Sequence, residues 1–201
     1  MYKRKDTFYT RAKQEGYRSR AAYKLLELNQ QFRLLYQGDR VVDLGSWPGG
    51  WLQVASRLVG EEGKVVGIDL VALEPLLWEN VAVLQGDASD PKVQERILTL
   101  LGRRADVVLS DLAPKLSGIK EADEARAMEL CRVALACAKA LLRPGGQFLV
   151  KMFMGTEAKE FVAEARGVFQ SVKTTRPEAT RKGSTEVYVV ASGFKFVPIP
   201  V

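Results

Sequence analysis

The stretch Arg40-Val-Val-Asp-Leu-Gly-Ser-Trp-Pro-Gly-Gly50 decides the fold. Its first half is apolar apart from Arg40 and Asp43, ends at Gly45 and reads as a buried strand. A Gly/Pro-rich turn follows, then a helix from about Trp51 to Val59. The alternation continues downstream. Lys64–Asp69 and Val81–Gln85 read as a second and a third strand, and Asp106–Asp111 as a fourth after a helix around 91–101. A long helix over about 121–142 closes at Arg143-Pro-Gly-Gly146, before a fifth strand, Gln147–Lys151. A helix over about 156–168 precedes strands near 171–175 and 186–192, which flank the polar turn Pro177–Ser184 as a hairpin. Upstream, Ser19 is the expected N-cap of a helix through Ala22, Leu25, Leu26, Phe32 and Leu35, with Gly38 as its stop.

Strands that are apolar throughout and alternate with helices predict an α/β fold. Its seven-stranded, mostly parallel sheet should carry helices on both faces and an antiparallel hairpin at one edge. Ligands bind such sheets at the carboxyl ends of the strands. The first five strands end at Asp43–Gly45, Asp69, Gln85–Asp87, Asp111 and Lys151, so these residues are expected along one edge.

Composition narrows the chemistry. The 201 residues suit one domain, 47% hydrophobic and 27% charged. No apolar run reaches the roughly 18 residues of a membrane span, and the opening MYKRKDTFYT has no apolar signal core, so a soluble, cytoplasmic protein is expected. Histidine is absent, which removes Ser-His-Asp and Cys-His nucleophiles, HExxH metal sites and any histidine acid/base step. Cys131 and Cys137 match neither a CxxC pair nor a zinc knuckle and are expected in the core. No His/Cys/carboxylate cluster has metal-ligand spacing.

The net charge of +6 is localised. Residues 1–24 hold eight Lys/Arg against Asp6 and Glu15, while the other 177 residues carry 22 of each sign. Tyr2, Phe8, Tyr9, Tyr17 and Tyr23 interleave with these basic residues. Basic side chains track phosphates and aromatic rings stack on unpaired bases, so residues 1–18 read as an RNA-gripping extension of a domain over 19–201. A cleft edge with Lys173, Arg176, Arg181 and Lys182 is the other candidate surface.

The loop Gly45–Gly50 is not a phosphate loop, because Trp51 and Leu52 stand where Lys and Ser/Thr are needed. It is not GxGxxG either. Its glycines still permit close backbone approach at a helix N-terminus. Asp69, 24 residues after Gly45, is placed to accept from ribose hydroxyls, and Asp87 from an adenine amino group. A nucleoside cofactor held without a phosphate grip describes S-adenosylmethionine better than a dinucleotide.

Five segments together resemble the FtsJ/RrmJ family of Rossmann-like RNA ribose 2′-O-methyltransferases. They are Ser19-Arg-Ala-Ala-Tyr-Lys-Leu-Leu-Glu27, Val42-Asp-Leu-Gly-Ser-Trp-Pro-Gly-Gly-Trp51, Ser110-Asp-Leu-Ala-Pro114 with Ser117-Gly118, Pro144-Gly-Gly-Gln-Phe-Leu-Val-Lys151, and Arg176 to Tyr188 with Ser184-Thr-Glu-Val-Tyr. The likeness runs from about Tyr17 to Ser192. It departs at Ser46-Trp47, where relatives usually carry two small residues, and at Leu112, where bacterial relatives often have Met.

The resemblance implies a class I methyltransferase whose catalytic Lys–Asp–Lys–Glu pattern falls on Lys24, Asp111, Lys151 and Glu186. It also implies S-adenosylmethionine contacts from Gly45, Gly49, Gly50, Trp51, Asp69, Asp87 and Asp111, and no metal. The expected partner is ribosomal RNA in the large subunit, methylated by a monomer at a uridine of the A loop. A ribose hydroxyl must lose its proton as it attacks, and Lys151, with the charge of Lys24 nearby, is the expected base. Asp111 and Glu186 should orient the two amines. A transfer-RNA ribose methyltransferase and a non-catalytic RNA-binding assembly protein are the alternatives. An amino-group base methyltransferase is disfavoured, since Ser110-Asp-Leu-Ala-Pro114 replaces the Asn/Asp-Pro-Pro-aromatic turn.

Overall fold

A computed structural model describes residues 7–195 except Pro75, Leu116 and Lys182. Tyr2, Lys3, Arg4, Lys5 and Asp6 of the basic stretch, and Lys182 of the cleft edge, lie outside the described residues.

Two helices open the chain, α1 (Thr7–Gln14) and α2 (Ala21–Phe32). Then follow β1 (Arg40–Leu44), α3 (Gly50–Val59), β2 (Lys64–Asp69), β3 (Val81–Gln85), α4 (Pro91–Leu101) and β4 (Ala105–Ser110). The chain continues as α5 (Lys120–Leu141), β5 (Leu142–Phe153), α6 (Ala158–Val168), β6 (Phe169–Thr175) and β7 (Glu186–Phe194). The seven strands form one sheet in the order β3-β2-β1-β4-β5-β7-β6. Pairs among β1 to β5 are parallel, and β7 runs antiparallel to both β5 and β6. The expected mostly parallel sheet with an antiparallel hairpin is therefore present. The reversed strand, β7, sits between β5 and the edge strand β6.

Alternation of side chains divides the core into two layers. Val41, Val65, Val107, Leu109, Leu149 and Tyr188 pack under α2 and α3, against Leu25, Leu28, Leu52 and Val59. Val42, Leu44, Val108, Phe148 and Val150 face α4, α5 and α6 through Ile97, Leu135 and Phe161. Cys131 and Cys137 are buried, and burial pushes their thiols up to about 12 and about 11. Both remain neutral donors, to the backbone oxygens of Lys151 and Ala88.

Two local expectations need correction. Ser19 does not cap α2: Arg20 holds the cap position without a side-chain bond, and Ser19 instead lies where a Cβ on Gly50 would strike its hydroxyl. Nor does α2 reach Leu35. It stops at Phe32, because Arg33 takes a left-handed φ of 52° and Asn29 Oδ1 accepts from the amide of Leu35 at 2.8 Å.

Residues 7–18 lie against the rest of the fold. Ala12 is buried with Tyr23 and Ala179, and Glu15 accepts from the Tyr23 hydroxyl at 2.9 Å. Gln53 on α3 bonds the Arg18 amide at 2.6 Å and the Gly16 carbonyl at 2.9 Å.

Candidate active site

The strand ends are knit by backbone bonds. The amides of Gly45 and Ser46 donate to Ile68, that of Gly86 to Asp69, and that of Asp111 to Leu44. Asp43–Gly45, Asp69, Gln85–Asp87, Asp111 and Lys151 accordingly share one edge. At Gly45 the chain turns with φ 77°, and a Cβ would stand 2.8 Å from Leu112 Cδ2, so only glycine fits the loop's first residue.

At that edge two ion pairs lie side by side. Lys151 Nζ is 3.1 Å from Asp111 Oδ1 and donates at 2.8 Å to the Asp111 carbonyl. Lys24, from the first turn of α2, is 2.6 Å from Glu186 Oε1 at the start of β7, and Thr180 Oγ1 donates to the same oxygen at 3.5 Å. The four residues taken from four separate motifs are thus brought together, with the two lysine side chains only 7% and 12% exposed. Both amines are held by carboxylates, the orienting arrangement expected of Asp111 and Glu186.

Tyr188 joins the pairs and was not singled out in the sequence. Its hydroxyl donates to Asp111 Oδ1 at 2.9 Å, and Lys24 Nζ lies 5.7 Å from its ring centroid. Burial, with the nearby charges of Asp111 and Glu186, pushes the phenol well above its usual value, so it remains a donor. The available signal was spacing: Glu186 and Tyr188 are two apart on one strand and share a face.

The loop side is less uniform. Asp69 accepts the Trp47 amide on Oδ2 and the Val71 amide on Oδ1, each at 2.9 Å, bracing two loops with one carboxylate. Asp87 is exposed, and its Oδ1 accepts from both the amide and the hydroxyl of Ser89. Those bonds hold its carboxyl below the usual range. The Trp51 indole turns into the core, donating to the Ala21 carbonyl at 2.8 Å and packing on Tyr188. Gly49 and Gly50 are buried at the N-terminus of α3, Gly49 with φ 108°.

Asp43 is expected on the ligand edge as part of the first strand end, with no role of its own assigned. It is 1% exposed, and neither carboxylate oxygen has a hydrogen-bond partner. Gly67 stands opposite it on β2, where a Cβ would come within 2.8 Å of Leu52 Cδ1 and of the equally unpartnered Ser46 hydroxyl. Burial, reinforced by the charges of Asp111 and Asp69, pushes the Asp43 carboxyl well above its usual value. An unpartnered acidic group behind a glycine loop calls for a cationic ligand, not a phosphate. S-adenosylmethionine fits that demand, since its ammonium and sulfonium groups are both positive. Among the described residues no His/Cys/Asp/Glu group could hold a metal ion, and no helix is long and apolar enough to cross a membrane.

The doubly wound sheet with a reversed seventh strand, and a glycine loop facing acidic strand ends, place the chain among Rossmann-like methyltransferases. Residues 17–194 match the FtsJ-like methyltransferase family, and the chain belongs to that family. The methyl donor of these enzymes is S-adenosylmethionine. A ribosomal RNA large subunit methyltransferase E of Methanothrix thermoacetophila is 50% identical, over 98% of this chain and 75% of its own. The protein of that name in Methanobrevibacter smithii is 44% identical, over 97% and 93%. A solved Plasmodium falciparum protein described as a ribosomal RNA methyltransferase superposes with a TM-score of 0.78 at 31% identity, covering 89% of this chain and 98% of its own. Aeropyrum pernix fibrillarin, solved with S-adenosylmethionine bound, shares the fold at a TM-score of 0.61 and 18% identity, over 85% and 73%.

Proposed function

We propose that this methyltransferase modifies the 2′-hydroxyl of a ribose in large-subunit ribosomal RNA, at a uridine of the A loop, acting as a cytoplasmic monomer. The observation that carries the reading is the convergence of Lys151–Asp111 and Lys24–Glu186 around Tyr188. The names of the archaeal relatives support the RNA class.

S-adenosylmethionine, when bound, supplies an electrophilic methyl group on a sulfonium. Gly45, Gly49 and Gly50 would hold it through their backbone, with Asp43 and Asp69 to meet its polar groups and Asp87 at the third strand end. Trp51 serves through its backbone at the start of α3, since its indole is committed to the core. Lys151 Nζ donates to the Asp111 carbonyl oxygen and forms an ion pair with Asp111 Oδ1 at 3.1 Å. With Asp111 on that side, the neutral amine keeps a lone pair to offer the substrate. A ribose hydroxyl set there gives its proton to Nζ as its oxygen becomes the nucleophile. Asp111 and Tyr188 fix the direction of that lone pair. Lys24, steered by Glu186, holds the ribose or its phosphate with positive charge. Much of the rate comes from alignment of the hydroxyl with the methyl carbon.

Mass-spectrometric mapping of ribose methylation in cellular RNA, with and without the protein, tests the substrate. A single 2′-O-methyl uridine lost from the A loop of the large ribosomal RNA is the expected difference. A mark lost from transfer RNA would replace the proposed substrate.

A further inference from the structure

The loop Gly45–Gly50 carries a feature the reaction does not use. Trp47 is 57% exposed, although its amide is fixed to Asp69. Leu70 and Val71, 70% and 54% exposed, flank the same carboxylate, and the Val71 amide is its other donor. One carboxylate therefore ties together the two backbone segments that expose these three large apolar side chains.

On the outer side of the loop, Trp47 and Pro48 form a pocket with Arg18, Ala72, Leu73 and Glu74. Asp87, Asp111 and Lys151 do not line it, so it is separate from the acidic edge where the methyl donor fits. Arg18 is a structural wall: its guanidinium donates to the Glu74 carbonyl at 2.7 Å and to the Pro48 carbonyl at 3.5 Å, and its stem lies beside Gly49. The indole is thus presented on a braced loop, beside a guanidinium. Residues 1–24 carry eight Lys/Arg against two acids, and Lys24 of the ion-pair cluster lies six residues beyond Arg18.

We infer that Trp47 is a stacking platform for an unpaired base of the RNA, neighbouring the nucleotide whose ribose enters the Lys24/Lys151 cluster. The occupant follows from the chemistry of the wall. A flat, exposed indole offers a π face that every nucleobase matches, and the adjoining positive charge suits the backbone that carries the base. A protein partner would need a larger apolar surface than this pocket and its rim supply. The inference rests on the RNA reading above, but its test does not require methyl transfer.

The chain contains three tryptophans, of which Trp51 is buried, so quenching of intrinsic fluorescence reports on Trp47 and Trp78. Single-stranded oligoadenylate is titrated into the parent, Trp47→Ala and Trp47→Phe, with an abasic oligomer of the same length as control. The parent should be quenched by oligoadenylate and much less by the abasic strand. Trp47→Ala should lose the quench and bind about tenfold more weakly, within the range for one stacked base. Trp47→Phe should regain most of the affinity without the indole signal, and S-adenosylmethionine should bind all three alike. Unchanged oligoadenylate affinity in Trp47→Ala overturns the inference. So does a loss confined to S-adenosylmethionine, which would put the indole over the methyl donor. Failure of the ribosomal substrate in RNA mapping would leave the stacking result standing, so the two readings fail separately.

Discussion

Tyr188 and Lys151 stand directly opposite each other on the antiparallel β7/β5 pair, and both reach Asp111 Oδ1, the phenol at 2.9 Å and the ammonium at 3.1 Å. A strand reversal is what makes this possible. Because β7 returns between β5 and β6, Glu186 and Tyr188 arrive at the edge where the parallel strands end. The reversed strand therefore completes the cluster as well as the sheet.

Tyr188→Phe removes that phenolic donor while keeping the ring under Lys24. The expected outcome is methyl transfer slowed about tenfold, with stability lowered by about 1.5–3 kcal/mol, the range for one hydrogen bond to a charged acceptor. S-adenosylmethionine affinity should stay near the parent's. Equal rates in a single-turnover assay would reduce Tyr188 to a packing residue.

Asp69 braces two loops, and the proposed cofactor site gives it a second duty. Asp69→Ala takes an acceptor from the amides of Trp47 and Val71 and, on that proposal, from the donor's ribose, so S-adenosylmethionine binding should weaken by roughly 1–3 kcal/mol. Because the loops lose their brace, the midpoint of thermal unfolding should fall too. Calorimetric affinity equal to the parent's would remove Asp69 from the cofactor site.

At the opposite edge of the sheet, Asp106 is buried and bound by Arg103 at 2.7 Å, Arg143 at 2.5 Å and the Arg40 amide at 2.6 Å. Burial alone would raise its carboxyl, but these three partners outweigh it and hold the group below its ordinary 3.8. The ionised form is thus favoured by folding. Its contribution is complete above the unfolded value and disappears as pH falls through the lower folded one. Asp106→Asn should cost about 2 kcal/mol at neutral pH. The gap to the parent in denaturant unfolding should close below about pH 4. A gap independent of pH would show that shape, not charge, matters there.

The basic N-terminus calls for charge reversal more than truncation. Deleting residues 1–18 would also strip Ala12, Glu15, Gly16 and Arg18 from their partners and lower stability. Arg11→Glu with Lys13→Glu leaves Ala12 in place. If α1 grips RNA, the slope of log affinity against log salt should fall by about 0.7–0.9 for each phosphate no longer neutralised. An unchanged slope would shift the RNA path to the cleft edge around Lys173, Arg176 and Arg181.

The sheet was largely legible because its strands are written as uninterrupted apolar runs. Lys64–Asp69 and Val81–Gln85 have the bounds expected of them. The helix α1 was not legible, since its only buried residue is Ala12 and it therefore has no apolar stripe to read. The end of α2 depends on a side chain, Asn29, reaching the Leu35 amide, a bond that spacing does not encode. For the site, the strand-end rule gathered Asp69, Asp111 and Lys151. The want of a partner at Asp43 arises only once Gly67 stands beside it in the sheet. Asp87 illustrates the converse: it lies at the expected strand end, yet one of its oxygens is already taken by Ser89.

The central claim is that Lys151 Nζ takes the ribose proton. Single-turnover methyl transfer to large-subunit RNA, run beside equilibrium binding of S-adenosylmethionine for the parent, Lys151→Ala and Lys151→Arg, tests it most directly. The account requires transfer to vanish in the alanine variant while cofactor affinity stays within about twofold. Arginine should not restore it, because a guanidinium does not give up its proton to become a base. An arginine variant nearly as fast as the parent would contradict the claim and leave Lys151 with charge and positioning alone.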